Sequence, residues 1–219
     1  MEGENGLFQS VLLKEVVIEP NVKLECVPKF CYLGDTLGAG GGVEEAARAR
    51  VRCAWAKFKE LSPILTARGA SYRIKGKIYK ACVQSVLTYG TETWAMKKAN
   101  LQSLERTERM MVRWMCGVSL KDRKRSVDLY SLLGVESVAE VVRRGRLRWF
   151  GHVERKSGDD WVSACRNVVV AGVRCAGRGR KTWRECVRDD MEELGLHPEW
   201  VVFRDMWRDL ISGKTSDPS

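Results

Sequence analysis

Two adjacent carboxylate pairs, Asp159-Asp160 and Asp189-Asp190, are the residues whose types and spacing could do chemistry. Paired carboxylates can hold the two metal ions of polymerases and nucleases, provided they converge on one point. Ser157-Gly158-Asp159-Asp160 has the order of a Gly-Asp-Asp turn. Such a turn needs an apolar strand ahead of it to fix the carboxylates at a hairpin tip, whereas Glu154-Arg155-Lys156 form a solvated flank. Asp189-Asp190 falls within a helical pattern, where neighbouring side chains point about 100° apart. Salt bridges along the helix are the expectation there. His152 and His197 stand in no metal or nucleophile motif. The run Gly38-Ala39-Gly40-Gly41-Gly42 lacks the Gly-Lys-Ser/Thr of a phosphate loop, and Val43 breaks the dinucleotide spacing. No catalytic residue, metal or cofactor is therefore expected.

The basic residues carry the stronger signal. The chain has 38 Lys and Arg against 28 Asp and Glu, a net charge of +10. The first 42 residues carry −3 and the remainder +13. A basic excess of this kind suits a polyanion. Arg143-Arg144-Gly145-Arg146-Leu147-Arg148-Trp149-Phe150-Gly151-His152 sets four arginines beside two aromatics. Guanidinium groups fork onto phosphates, and aromatic faces stack on unpaired bases. Trp149 and Phe150 read equally as core residues, which would still leave the arginines facing outward. Arg174 to Lys181 is a second basic stretch, whose glycines allow close approach of a phosphate chain. Arg73, Lys77 and Lys80 form a third group on one helix face. The expected nucleic-acid contacts are thus Arg73, Lys77, Lys80, Arg143, Arg144, Arg146, Arg148, Trp149, His152, Arg178, Arg180 and Lys181. Replacing Arg144, Arg146 and Arg148 by alanine should weaken binding without unfolding the chain.

No apolar run approaches the ~18 residues that span a bilayer. Met1 to Gly6 lack the basic start and apolar centre of a secretory signal. The expectation is an intracellular protein, nuclear or cytoplasmic, with no membrane partner and with its eight cysteines reduced. Cys26 and Cys31 have no second pair at zinc-ligand spacing, and Cys165, Cys175 and Cys186 are too dispersed. Cys53, Cys82 and Cys186 read as small buried hydrophobes.

The elements that must position these residues are mostly helical. Leu7–Leu13, Val16–Ile18, Val22–Cys26 and Phe30–Leu37 read as short strands, with a turn at Pro20-Asn21. From residue 43 to 61, Ala47, Val51, Ala54, Phe58 and Leu61 share one helix face. A second helix opens near Ser71, with Ile74, Ile78, Cys82 and Val86 as its apolar stripe. A third starts at Asn100 as N-cap, buries Leu101, Leu104, Met111, Trp114 and Met115, and stops near Gly117. Helices follow at 126–133 and 137–154, parted by Gly134, the second opened by a Ser137/Glu140 capping box. This pair resembles a helix-turn-helix, a pattern any αα-hairpin also shows. Residues 155–180 read as irregular. Thr182/Glu185 is a second capping box, for a helix with Trp183, Val187, Met191 and Leu194 inward and Gly195 at its end. Pro198 opens a last helix bearing Trp200, Phe203, Met206, Trp207 and Leu210. The fold class is mainly α: short N-terminal β-hairpin strands, a multi-helix bundle, and a basic helical C-terminal region.

Five stretches, in order, resemble one family. Phe30-Cys-Tyr-Leu-Gly-Asp-Thr-Leu37 is similar to the F-x-YLG-x-x-(I/L) segment of non-LTR (LINE-type) retrotransposon reverse transcriptases. Ile78-Tyr-Lys-Ala with Val86-Leu-Thr-Tyr-Gly-Thr-Glu-Thr-Trp94 resembles their YKA…L-x-YG-x-E-x-W helix. Met115 to Arg123 is similar to their ILG(I/V)-x-x-x-DR linker, and Arg146-Leu-Arg-Trp-Phe-Gly-His-Val153 to their RLRW(L/F)GHV box. Gly177-Arg-Gly-Arg-Lys-Thr-Trp183 resembles GRGR(P)-x-x-(R/T)W without its proline, and Leu194-Gly195-Leu196 falls at the family's last helix end. The agreement runs over about residues 29–196. It implies the thumb and post-palm region of an RNA-directed DNA polymerase, with Tyr32, Leu33 and Gly34 near a primer grip. The family's metal-binding aspartates lie upstream of the YLG box, so the resemblance implies no nucleotide transfer by this chain alone, with a palm domain as a separate partner. The departures from the boxes, such as the missing proline, keep a truncated retroelement relic or a protein-interaction module without activity as the alternative. It also implies a division into a palm-edge strand remnant (1–42), a thumb-like bundle (43–120), a basic nucleic-acid-binding region (121–213) and a loose tail (214–219).

Overall fold

The structure, a computed structural model, describes residues 15–19, 22–25, 27–32, 34–38, 42–156, 158, 160–168 and 179–213. Two antiparallel hairpins open the chain: β1 (Glu15–Glu19) with β2 (Val22–Glu25), and β3 (Lys29–Tyr32) with β4 (Asp35–Gly38). The expected single strand over 30–37 is thus a tight hairpin, pairing Tyr32 with Asp35 and Phe30 with Leu37. Gly34 supplies the positive φ of +80° that its turn needs. The expected strand Leu7–Leu13 and the turn residues Pro20 and Asn21 lie outside the described residues.

The remaining elements are helical: α1 (Glu44–Leu65), α2 (Tyr72–Ile78) running through a π-turn (Tyr79–Gln84) into α3 (Ser85–Leu87), α4 (Lys98–Cys116), α5 (Ser126–Leu133), α6 (Val138–Glu154), α7 (Trp161–Asn167), α8 (Trp183–Leu194) and α9 (Arg204–Ile211). The fold is mainly α, as the sequence implies. Among the described residues no helix is long and apolar enough to cross a membrane. The helix α1 runs past the expected residue 61, with Pro63 inside its last turn. Proline cannot donate to the Lys59 carbonyl, and the Ser62 hydroxyl donates to it instead, at 2.8 Å.

One core lies among α1 to α5 and the first turns of α6, from Ala46 and Phe58 through Leu104 and Met111 to Val138 and Val142. A second, smaller core holds Leu147, Val187, Met191, Val201, Trp207 and Ile211. The two cores divide within α6, between Val142 and Leu147. Gly151 admits α9: a β-carbon there would strike the Trp207 indole, whose N–H donates to the Leu147 carbonyl at 3.0 Å. In α2, Gly76 leaves no gap beneath the Leu133 carbonyl, which any β-carbon would overlap.

The stripe expected on α2 is rotated. Ile74 and Cys82 are exposed, while Lys75, Gly76, Tyr79, Val83, Gln84 and Leu87 are buried. The cause is a polar hub on α4. Glu108 is fully buried, and its carboxylate accepts four hydrogen bonds. Tyr79 Oη (3.3 Å) and Gln84 Nε2 (3.0 Å) donate to Oε1; Tyr130 Oη (3.2 Å) and the Val138 backbone N–H (2.6 Å) donate to Oε2. Residues five apart in an α-helix point about 140° from each other. The i→i+5 bonding of the π-turn brings Tyr79 and Gln84 back to one side.

Other departures are local. The N-cap of α4 is Lys97, and Asn100 is buried inside the helix. Trp114 is 56% exposed, its ring against Trp55 and Phe58 at the α1–α4 seam. Cys53 is exposed on α1, whereas Cys186 is buried as expected. The stretch expected to be irregular contains α7, capped by the Asp160 side chain on the Val162 N–H at 2.9 Å. The last helix is split into a 3-10 turn (Pro198–Val202) and α9 by the extended backbone of Phe203. Trp200, Phe203 and Met206 remain exposed there.

Glu108→Gln should cost about 1–3 kcal/mol. Each oxygen of Glu108 accepts from one nitrogen donor, so either amide orientation sets an NH2 against Gln84 or Val138. Burial outweighs the four hydrogen bonds and raises the Glu108 pKa above its ordinary 4.5. Its stabilisation is therefore complete below pH 4.5 and is lost as pH rises through the raised value. The wild-type advantage over the glutamine variant should narrow over that rise, in urea titrations at a series of pH values. A pH-independent gap would contradict this.

Candidate nucleic-acid interface

The Arg143–His152 box forms most of α6, and the structure divides its arginines sharply. Ser137 and Glu140 close the expected capping box, and Glu108 takes the Val138 N–H, so the start of α6 is fixed twice. From there the helix lies against α4, α7, α8 and α9. Arg144 forks onto Glu136 with both terminal nitrogens, at 2.5 and 2.6 Å. This pairing draws the Glu136 pKa down and the Arg144 pKa up. Arg143 reaches Glu193 on α8 at 2.9 Å. Arg146 points inward, 6% exposed, and pairs with Asp190 at 2.7 Å. Burial raises the Asp190 pKa, against the pull of Arg146 and Arg143. Arg146 thus lies off the surface, four residues after the buried Val142 and on the same face of the helix.

The outward strip of α6 holds the rest. Arg148 has no hydrogen bond or ion pair among the described residues, and Trp149 is 37% exposed. The Trp149 ring lies 5.3 Å from that of His152, at an interplanar angle of 31°. Arg155 follows His152 at the end of the helix. The facing wall is α9, whose Arg204 and Arg208 are one turn apart. Between the helices runs a groove of about 670 Å³ lined by Arg148, Trp149, His152, Arg155, Lys156, Arg204 and Arg208, over Trp207 and Ile211, with Glu92 as the one lining carboxylate. Arg155 donates to the Val201 carbonyl at 2.8 Å. Burial, with the Arg204 guanidinium beside it, lowers the Arg155 pKa. Lys156 pairs with Asp160 and Arg208 with Asp205, whereas Arg204 has no partner among the described residues. Arg148, Arg155 and Arg204 gather there without a salt-bridge partner among the described residues, an arrangement suited to an anion.

The structure therefore brings Arg148, Trp149 and His152 together and adds Arg155 and Arg204, which the sequence reading missed. The signal existed: Arg148, His152 and Arg155 share a helix face at spacings of four and three, and Arg204 and Arg208 share another. Other expected contacts lie elsewhere. Arg73, Lys77 and Lys80 are exposed on α2 and the π-turn, outside the groove, with Lys80 near Glu136 at 3.9 Å. Lys181 pairs with Asp189 at 2.7 Å, and Arg180 and Lys181 line a separate hollow with Asp35, Trp94 and Lys97. Arg178 and Leu33 lie outside the described residues. Tyr32 is exposed on β3, and Gly34 turns the hairpin beside Arg50. Asp189 and Asp190 form separate salt bridges, with Lys181 ahead of α8 and with Arg146 on α6, not with residues along their own helix. Among the described residues no cluster of His, Cys, Asp and Glu is placed to hold a metal ion.

No protein-family model and no solved structure matches the chain. It is similar to a Caenorhabditis elegans protein whose name reads "putative uncharacterized transposon-derived protein", with 28% identity over 174 residues. The match covers 77% of this chain, which spans about three fifths, 62%, of the curated relative.

Arg146→Ala should destabilise the fold by about 3–5 kcal/mol, since it strands Asp190 without its partner. Arg148→Ala should change stability by less than about 0.5 kcal/mol. Urea denaturation of both variants checks this, and equal losses would contradict the division of the box.

Proposed function

We propose that this chain is a nucleic-acid-binding module of a retroelement protein, equivalent to the thumb and post-palm region of a non-LTR reverse transcriptase. The observation that carries the reading is the α6–α9 groove, where Arg148, Arg155 and Arg204 gather with a single lining carboxylate. The ordered boxes between residues 29 and 196 support it from the sequence side. The relative's transposon-derived name supports a mobile-element origin. The cations engage phosphates, and the chain transfers no nucleotides by itself.

Fluorescence anisotropy against single-stranded RNA, duplex DNA and an RNA–DNA hybrid across a salt series tests this. Log affinity should fall linearly with log salt. Arg155→Gln and Arg204→Gln should each reduce the slope by about 0.7–0.9. A folded sample that binds none of the three at low salt would remove the reading.

A second reading is favoured by the β3–β4 hairpin, which leaves Phe30, Tyr32 and Leu37 each more than half exposed. Phe30 and Tyr32 stack on one face, and Leu37 pairs with Phe30 across the hairpin. An exposed apolar face of this kind fits a chain that docks on a separately supplied palm domain. Mixing with a palm fragment should then yield primer extension that neither piece gives alone, and Phe30→Asp should abolish the gain.

A further inference from the structure

We propose that the α6–α9 groove takes single-stranded nucleic acid, with one unpaired base laid on the Trp149 ring and the adjoining phosphates held by Arg155 and Arg204. This rests on the nucleic-acid reading and narrows it to one structural class of ligand.

Trp149 shares its exposure and its lack of a hydrogen bond among the described residues with Trp114, Trp161 and Trp200, but it is the exposed tryptophan that lines the cationic groove. Trp94 donates its indole N–H to Asp35 at 3.1 Å, Trp183 to the Glu92 carbonyl at 2.8 Å, and Trp207 to the Leu147 carbonyl at 3.0 Å. Each ties a distant segment to its neighbour, and two of them, Trp94 and Trp207, are buried. Trp149 makes no hydrogen bond among the described residues, although its helix packs against α4, α7, α8 and α9. More than a third of its surface is open, and it lines the groove. With His152 tilted against it, the ring extends into a wider aromatic surface. An exposed indole beside unpaired cations is chemically matched to a ligand with both a flat π-face and negative charge.

Duplex and single strand differ on the π-face. Both present phosphates, but a duplex keeps its base faces stacked on one another, and an outside ring cannot reach them without extruding a base. A single strand offers every face, and aromatic stacking on it is tolerant of sequence. The groove's volume, about 670 Å³, lies in the range that buries most of a small organic ligand. That leaves room for a base with its sugar and phosphate. Arg148, His152 and Arg155 span about 10 Å along the helix axis. They therefore line the path of the backbone on either side of the stacked base.

The test uses the full chain and three labelled probes of equal length: a single strand, the same strand with its bases removed, and a blunt duplex. Anisotropy is read for the wild type, Trp149→Ala and Trp149→Phe, each checked by thermal melting. The wild type should prefer the single strand to both other probes. Trp149→Ala should lose roughly tenfold on the single strand, with little change on the base-free strand or the duplex. Trp149→Phe should keep most of the affinity, and this comparison still decides the matter where the alanine variant melts early. Equal binding of the base-free and intact strands, or an unchanged single-strand affinity in a folded Trp149→Ala, overturns the stacking proposal while the nucleic-acid reading stands. Failure of all three probes to bind removes both.

Discussion

Most of the chain's architecture depends on one buried carboxylate. Glu108 lies on α4, yet its four donors come from the π-turn, α5 and the first residue of α6. Among the described residues of the first core, Glu108 accepts from three other elements at once. Its placement also solves an electrostatic problem. A carboxylate out of water is costly unless its lone pairs are filled, and here a helix N-terminus, with its partial positive charge, supplies one of the donors. Tyr79 and Tyr130 have their own pKa values raised, by burial first and by the Glu108 charge next, so both remain neutral donors. The hub thus sets the direction in which α6 leaves the first core.

That direction matters because α6 is common to both cores. Its first turns pack with Leu129 and Leu133, and its second half packs with Val187 and Trp207. The C-terminal elements are hooked back onto it and onto the centre of the chain by single polar atoms. Trp207 hangs from the Leu147 carbonyl in the notch left by Gly151, and Trp183 hangs from the Glu92 carbonyl. The Cys186 thiol reaches the Met96 carbonyl at 3.6 Å. The Trp207 bond, with the Arg155 bond to the Val201 carbonyl, places α9 opposite the outer strip of α6 and so forms the groove.

The sequence made visible what depends on neighbours in the chain. The capping boxes Ser137/Glu140 and Thr182/Glu185 both form, and Gly117, Gly134 and Gly195 end helices in left-handed conformation, at φ of +64° to +65°. These are local decisions, read from three or four residues. The stripe on α2 was misread because its period assumed 3.6 residues per turn, and the π-turn breaks that period in response to Glu108 on another helix. The roles of the arginines were equally hidden. Arg146 and Arg143 find their carboxylates 44 and 50 residues away, and no local rule separates them from Arg148. The groove's second wall was invisible for the same reason, since Arg204 faces Arg155 only after two helices have folded back.

The paired and unpaired arginines of α6 are better understood together than apart. Arg143, Arg144 and Arg146 hold the helix against α8 and Glu136, and the buried pair with Asp190 fixes its rotation about its own axis. A helix so held keeps Arg148, Trp149 and His152 in one orientation before any ligand arrives. The side chains that would contact a polyanion therefore have little backbone ordering left to complete, which is the largest avoidable cost of association. A box composed wholly of surface arginines would carry more charge but hold it less firmly. The inward arginine that the sequence made resemble a contact residue instead gives the outward ones a rigid support.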